Sequence, residues 1–261
     1  MDENDSDYEI PTFTQKLRSE TGEGGCVKPQ VWNLLVPGDR PPLPAFTPKR
    51  ARTPDDLWMG HSHRLNREVF SYGKLEYDHW YLVESCPWVS WYCEQYPVVS
   101  VKLDGRNITT CYDMLVLYAD NTLELREIKK KRELQEPQEP RIKLQLSAQE
   151  FWAEKSRIPY RRLTELDIQS NPLYLANWKK ILRRISKNAL SKPLQEEIMA
   201  LLKGYPDGLP LGELIRATGQ EEQAVWENVF ALLHQGLLSA PLGSEKLSRS
   251  IMIRRMGHES P

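Results

Sequence analysis

The chain has 261 residues, 40% of them hydrophobic, and a formal net charge of −1 with a pI near 6.6. That composition supports a packed core and excludes wholesale disorder, and the near-neutral charge excludes a simple histone-like binder. No apolar run reaches the roughly 18 residues of a membrane helix and no leader pattern opens the chain, so a soluble, cytoplasmic protein without a membrane partner is expected.

Residues 1–54 read as an N-terminal arm. The first ten carry five acids and no base, and seven prolines fall between Pro29 and Pro54. Little there is periodic beyond Val31–Val36, and Pro41-Pro42-Leu43-Pro44 reads as a stiff tether. A folded domain is expected over 55–187. Early in it stands Gly60-His61-Ser62-His63-Arg64. His61 and His63 would share a face on a strand, but no third metal ligand accompanies them. A helix is predicted over Leu75–Val83 with Glu76 at its head, and Pro87 stops it or turns the chain. Trp88–Cys93 and Tyr96–Val101 have strand composition, with Gln95 between them, and Asp104-Gly105 is a hairpin signal. Ile108–Tyr118 and Leu123–Ile128 are predicted to continue the sheet, joined by turn residues Ala119–Thr122.

These last two strands carry the chemistry. Asp113 lies in the first and Glu127-x-Lys129 ends the second, 127 − 113 = 14 residues later. Hairpin pairing would bring the two carboxylates to one sheet edge, where they repel unless a cation separates them. Hard oxygen ligands beside a lysine suit Mg²⁺- or Mn²⁺-dependent phosphodiester cleavage, with two ions expected. Asp113 would ligate metal, Glu127 would complete the pair and the Ile128 backbone carbonyl would add a ligand. Glu127 and Lys129 point to one face, so Lys129 can orient water or offset charge in the transition state. Glu76, 37 residues upstream of Asp113, is the candidate third acid. Solvated strand ends account for many isolated matches of this kind.

After Pro137 and Pro140 an amphipathic helix is predicted to about Arg157, with Ile142, Leu144, Leu146, Phe151 and Trp152 as apolar positions. A strand over Ile158–Leu166 and a closing helix over Leu173–Ile185 follow. Residues 141–187 hold eleven Lys or Arg against four Asp or Glu. Following directly on Lys130, Lys131 and Arg132, this region, Lys143 included, reads as a phosphate-contacting surface. Residues 190–261 read as three helices and a two-stranded wing, a winged helix-turn-helix. Its third helix, Glu221–Gln235, carries Glu221, Glu222 and Glu227 and no Lys or Arg, which favours protein docking over DNA reading. Cys26, Cys86, Cys93 and Cys111 read as free thiols.

In order and spacing, the run from Gly60–Arg64 through Leu75-Glu76, Glu94–Pro97 and Tyr112-Asp113 to Glu127-Ile128-Lys129 resembles the TnsA family. That family comprises the endonuclease subunits of heteromeric cut-and-paste transposases. The resemblance covers roughly residues 60–185, with a weaker likeness beyond. One departure is Tyr112 before Asp113, where many members of the wider superfamily carry proline. The resemblance implies an α/β, more narrowly α+β, restriction-endonuclease-like core with a C-terminal winged-helix domain. It implies catalytic roles for Glu76, Asp113, Glu127 and Lys129, and DNA contact or shaping of the site mouth by His63, Arg64 and Gln95. It further implies cutting of the 5′ strands at transposon ends in a bacterial cytoplasm, beside a TnsB-like transposase and a TnsC-like AAA+ ATPase. The alternatives are a catalytically silent DNA-bound adaptor recruiting an ATPase, and a stand-alone restriction or repair nuclease.

Overall fold

The computed structural model describes residues 42–45, 57–135, 138–185 and 190–256. The arm expected over 1–54 lies outside them apart from 42–45, as does Cys26. The fold mixes helices with several small sheets, and the chain divides into two compact units.

The first unit holds residues 42–45, 57–84 and 88–170 among those described. It opens with an antiparallel hairpin, β1 (Trp58–Ser62) and β2 (Arg67–Ser71). Sequence periodicity does not mark this hairpin, because its strands carry a glycine, a histidine and few β-branched residues. Helix α1 (Lys74–Ser85) packs its Trp80 against β1. A Cβ at Gly60 would lie 2.6 Å from the Trp80 ring, so only glycine fits there. The helix also buries Glu84, whose carboxylate accepts from Ser62 and Tyr92 hydroxyls at 2.5 Å each.

Strand β3 (Val89–Glu94) belongs to the main sheet, whereas β4 (Val98–Leu103) and β5 (Arg106–Cys111) form a separate two-stranded ribbon. The main sheet resumes with β6 (Met114–Tyr118) and β7 (Leu123–Ile128). The single strand expected over Ile108–Tyr118 is therefore broken at Tyr112-Asp113, where the chain steps from one sheet to the other. Asn121 (φ 66°) and the Asp120 side chain, accepting from Thr122 N at 2.9 Å, build the expected turn between β6 and β7. Helix α2 (Pro140–Ser156) has proline in its first turn and ends at Arg157 in a left-handed conformation. It leads to β8 (Tyr160–Leu163), which pairs parallel with β7, as a helical crossover permits. Sheet order is β3-β6-β7-β8, the first three strands antiparallel. The expected strand end at Leu166 gives way to a one-turn helix, α3 (Glu165–Ile168), opened by a Thr164/Asp167 capping box.

Helices cover both faces of β7. Leu123 and Leu125 join Leu115, Leu117, Tyr112, Val99, Ile158 and Ala153 of α2 in one apolar core. On the other face Arg126, 1% exposed, donates to Glu124 at 2.6 Å and meets His79 of α1 at 2.9 Å.

The second unit holds residues 85–87 and 171–256 among those described. Its helices are α4 (Pro172–Arg184), α5 (Lys192–Lys203), α6 (Leu211–Thr218) and α7 (Glu222–His234). Strands β9 (Leu209–Pro210), β10 (Leu238–Ser239) and β11 (Met252–Arg255) form a sheet in the order β10-β11-β9. Helix α4, read from sequence as closing the first domain, groups here instead. Its buried Asn177 explains why, donating to Leu242 O at 2.9 Å and Glu245 O at 2.7 Å and accepting from Leu247 N at 3.1 Å. Strand β9 was not predicted, since two residues carry no period. From Val225 onward α7 is buried except for half-buried Trp226. No helix among the described residues is long and apolar enough to cross a membrane.

Candidate active site

The antiparallel register of β6 and β7 pairs Met114 with Arg126. One step further along, Asp113 and Glu127 stand across from each other where β6 begins and β7 ends. Asp113 Oδ2 accepts from Ile128 N at 2.7 Å, and its Oδ1 faces Gln95 Nε2 at 3.4 Å. Gln95 N donates to Asp113 O at 2.8 Å, so Gln95, in a left-handed conformation (φ 48°), is built into the frame of the site. Glu127 is fully buried. Its Oε1 accepts from Lys129 Nζ at 2.5 Å and Gln145 Nε2 at 2.8 Å, and its Oε2 accepts from Gln149 Nε2 at 2.7 Å. Glu76, in the first turn of α1, accepts from Tyr72 N at 3.2 Å.

Electrostatics tie the four expected catalytic residues together. Burial, then the charge of Asp113, pushes Glu76 up to about 8, with Glu127 adding to the rise and Lys129 opposing it. Burial and Asp113 likewise push Glu127 up to about 8 against the pull of Lys129. Asp113 is raised by burial, which outweighs Lys129 and the Ile128 and Gln95 hydrogen bonds. Burial by itself would lower Lys129, but Glu127 and Asp113 more than offset it and hold the ammonium charged.

Among the described residues, no three His, Cys, Asp or Glu side chains converge into a ready-made metal site. This agrees with the coupling above, because charges interact well beyond the 2.0–2.1 Å of Mg²⁺ coordination. The donor set itself suits a hard divalent cation. It consists of carboxylates whose mutual repulsion and burial a positive charge would relieve, and it contains no thiolate or imidazole.

The other expected residues separate into two groups. Lys130, Lys131, Arg132 and Lys143 are exposed, the first three on the segment leaving β7 and the last on α2. Arg64 is instead used within the fold: its guanidinium donates to the carbonyls of Val89 and, at 3.2 Å, Glu84. His63 lies in the β1–β2 turn rather than on a strand, its ring 5.3 Å from that of His61, which contacts Glu68 at 3.0 Å. Sequence reading missed Gln145, Gln149 and Tyr160. It also missed Glu133, whose charge reaches both Asp113 and Lys129. The one available signal was the Gln145/Gln149 spacing, which puts two amides on one helix face. Cys86, Cys93 and Cys111 are free thiols, as expected. No family model matches the chain, and no curated protein matches it.

Proposed function

We propose that this chain is a Mg²⁺- or Mn²⁺-dependent DNA endonuclease, the subunit of a cut-and-paste transposase that cuts the 5′, non-transferred strands at transposon ends. The observation that carries this reading is the meeting of Asp113, Glu127 and Lys129 at one end of the two central strands of a mixed four-stranded sheet, with the charge of Glu76 on α1 felt there. The order helix, three antiparallel strands, helix and parallel fourth strand agrees with a restriction-endonuclease-like core, as the TnsA resemblance implies.

Glu76, Asp113, Glu127 and the Ile128 carbonyl are the groups that would hold one or two ions. A bound ion would supply Lewis-acid polarisation of the phosphate and a lowered pKa for attacking water. Lys129, kept charged by Glu127 and Asp113, would offer a cation to the phosphoryl oxygens on which negative charge develops in the transition state. Exposed Lys130, Lys131, Arg132 and Lys143 offer charge to flanking phosphates. In-line attack by water would leave 5′-phosphate and 3′-hydroxyl ends.

The order α5-β9-α6-α7-β10-β11 supports a winged-helix reading of the second unit. Its third helix, buried along most of its length and acidic at its free end, favours protein docking over groove reading. A TnsC-like ATPase is the partner the resemblance implies, and a TnsB-like transposase would cut and join the other strands. The test is cleavage of a transposon-end duplex with partner proteins and Mg²⁺. Asp113→Ala should abolish the 5′-strand cut, and undiminished cutting would remove Asp113 from the mechanism.

A second reading of the same residues is a catalytically silent adaptor. Calorimetric titration with Mn²⁺ separates the two, since a silent domain need not bind the ion.

A further inference from the structure

We infer that Tyr160 and Gln149 act together as a positioning device that presents one oxygen of Glu127 to the metal. The inference rests on the metal-site reading above. Gln149 is completely buried, and its side chain has no spare bonding capacity on its donor side. Its two amide hydrogens go to Glu127 Oε2 at 2.7 Å and Cys111 O at 3.0 Å. Its carbonyl Oε1 accepts from Tyr160 OH at 2.9 Å. An amide can be flipped only by exchanging donor for acceptor. Here a flip would set the carbonyl oxygen against a carboxylate and a backbone carbonyl, and leave the Tyr160 hydroxyl facing an NH₂ group. Tyr160 stays a hydroxyl donor because burial, reinforced by Glu127, raises it further above its ordinary range. The Gln149 backbone is pinned as well, its carbonyl accepting from Tyr112 OH at 2.6 Å.

The consequence falls on Glu127. A carboxylate oxygen has about two lone-pair directions. Those of Oε1 are both used, by Lys129 and Gln145, whereas Oε2 spends one on Gln149 and keeps one. Glu127 is thereby prepared as a one-oxygen ligand through Oε2, with Lys129 held on the other oxygen. The hydroxyl on β8 sets the amide on α2, which sets the carboxylate on β7.

The test is calorimetric titration of Mn²⁺ into the full chain, with thermal melting of each metal-free protein alongside. Gln149→Met keeps the volume and removes the hydrogen bonds, and Tyr160→Phe removes only the hydroxyl that fixes the amide. Tyr118→Phe, which removes a hydroxyl from the Arg126 network on the opposite sheet face, is the control for general loosening. Losing a partner behind a metal ligand costs roughly 10–100-fold in affinity. Gln149→Met should weaken Mn²⁺ binding within that range, Tyr160→Phe by less, and Tyr118→Phe not at all. Wild-type affinity in both Gln149→Met and Tyr160→Phe overturns the inference while leaving the metal site standing. Equal weakening in Tyr118→Phe overturns it too, by making the effect one of stability. If Gln149→Met does not fold, Tyr160→Phe alone decides in the same way. Absence of Mn²⁺ binding in the wild type overturns the metal-site reading and this inference with it.

Discussion

In water Glu76 and Glu127 would both be anions at pH 7, but burial and the neighbouring Asp113 raise each to about 8 in the fold. A carboxyl group raised in this way contributes stability that is fully present below its unfolded pKa, near 4.5. That contribution is lost as pH rises through about 8. Glu76→Gln cannot ionise, so its melting temperature should climb relative to wild type between pH 5 and pH 9 without metal. A difference that stays constant across that range would show that Glu76 is not strained as an anion. Saturating Mn²⁺ should raise the wild-type melting temperature most above pH 8, where the acids are ionised to receive it. Asp113, Glu127 and Lys129 were legible in sequence because charged side chains at strand ends stand out against an apolar run. Gln149 and Tyr160 were not, because neither carries a charge and their roles exist only once α2 and β8 lie beside β7. Arg64, read as touching DNA or shaping the mouth of the site, donates within the fold to the carbonyls of Val89 and Glu84, which no local sequence pattern foretells.

Strand β7 is an element with two different polar problems, one on each face. One face ends in Glu127; the other buries Arg126 among Glu124, His79 and Tyr118. Removing one partner of a buried ion pair strands the other, so Arg126→Met should destabilise the protein by about 3–5 kcal/mol, read by urea unfolding. Adding Glu124→Leu should recover much of that loss. At the β1–α1 contact, Gly60→Ala drives a methyl group into the Trp80 ring, and overpacking of this kind costs about 1–3 kcal/mol. An unchanged unfolding midpoint would mean that the ring yields freely. Most elements were readable from period and turn chemistry: α1, α2, the β6–β7 hairpin and the three C-terminal helices all fall near their predicted places. The failures occur where long-range packing decides. Helix α4 has an ordinary amphipathic pattern, and it is long-range contacts, Asn177's bonds to the 242–247 segment, Asn171's bond to Gly243 O and packing against α7, that assign it to the second unit. Helix α2 buries Leu146 and packs Trp152 on the core as expected, but it also buries Ala148, Gln149, Ala153 and Ser156 while Leu144 and Phe151 stay exposed, so its apolar spacing gave the facing residues only in part.

For the molecule as a whole, a net charge of −1 conceals a segregated layout, with acids concentrated in residues 1–10 and bases following the candidate site. Binding that depends on such a local patch is strongly salt-sensitive. Replacing Lys131 and Lys143 with alanine should weaken DNA binding and flatten the slope of log affinity against log salt, by roughly 0.9 for each phosphate deprived of its cation. An unchanged slope, measured by fluorescence anisotropy over a salt series, would place the DNA elsewhere. The β4–β5 ribbon has a consequence of another kind. The chain leaves the main sheet at Gln95 and returns at Asp113, and the hydrogen bond between those two backbones at 2.8 Å closes the excursion on itself. Its far end, Asp104-Gly105, is exposed, with nothing near the missing Cβ of Gly105. Lengthening the tip therefore moves neither end, and loop closure penalises added residues only slowly. In engineering terms this is a docking port: a peptide tag or fluorophore can be spliced in at Gly105, and the carboxylate at its base need not register the insertion.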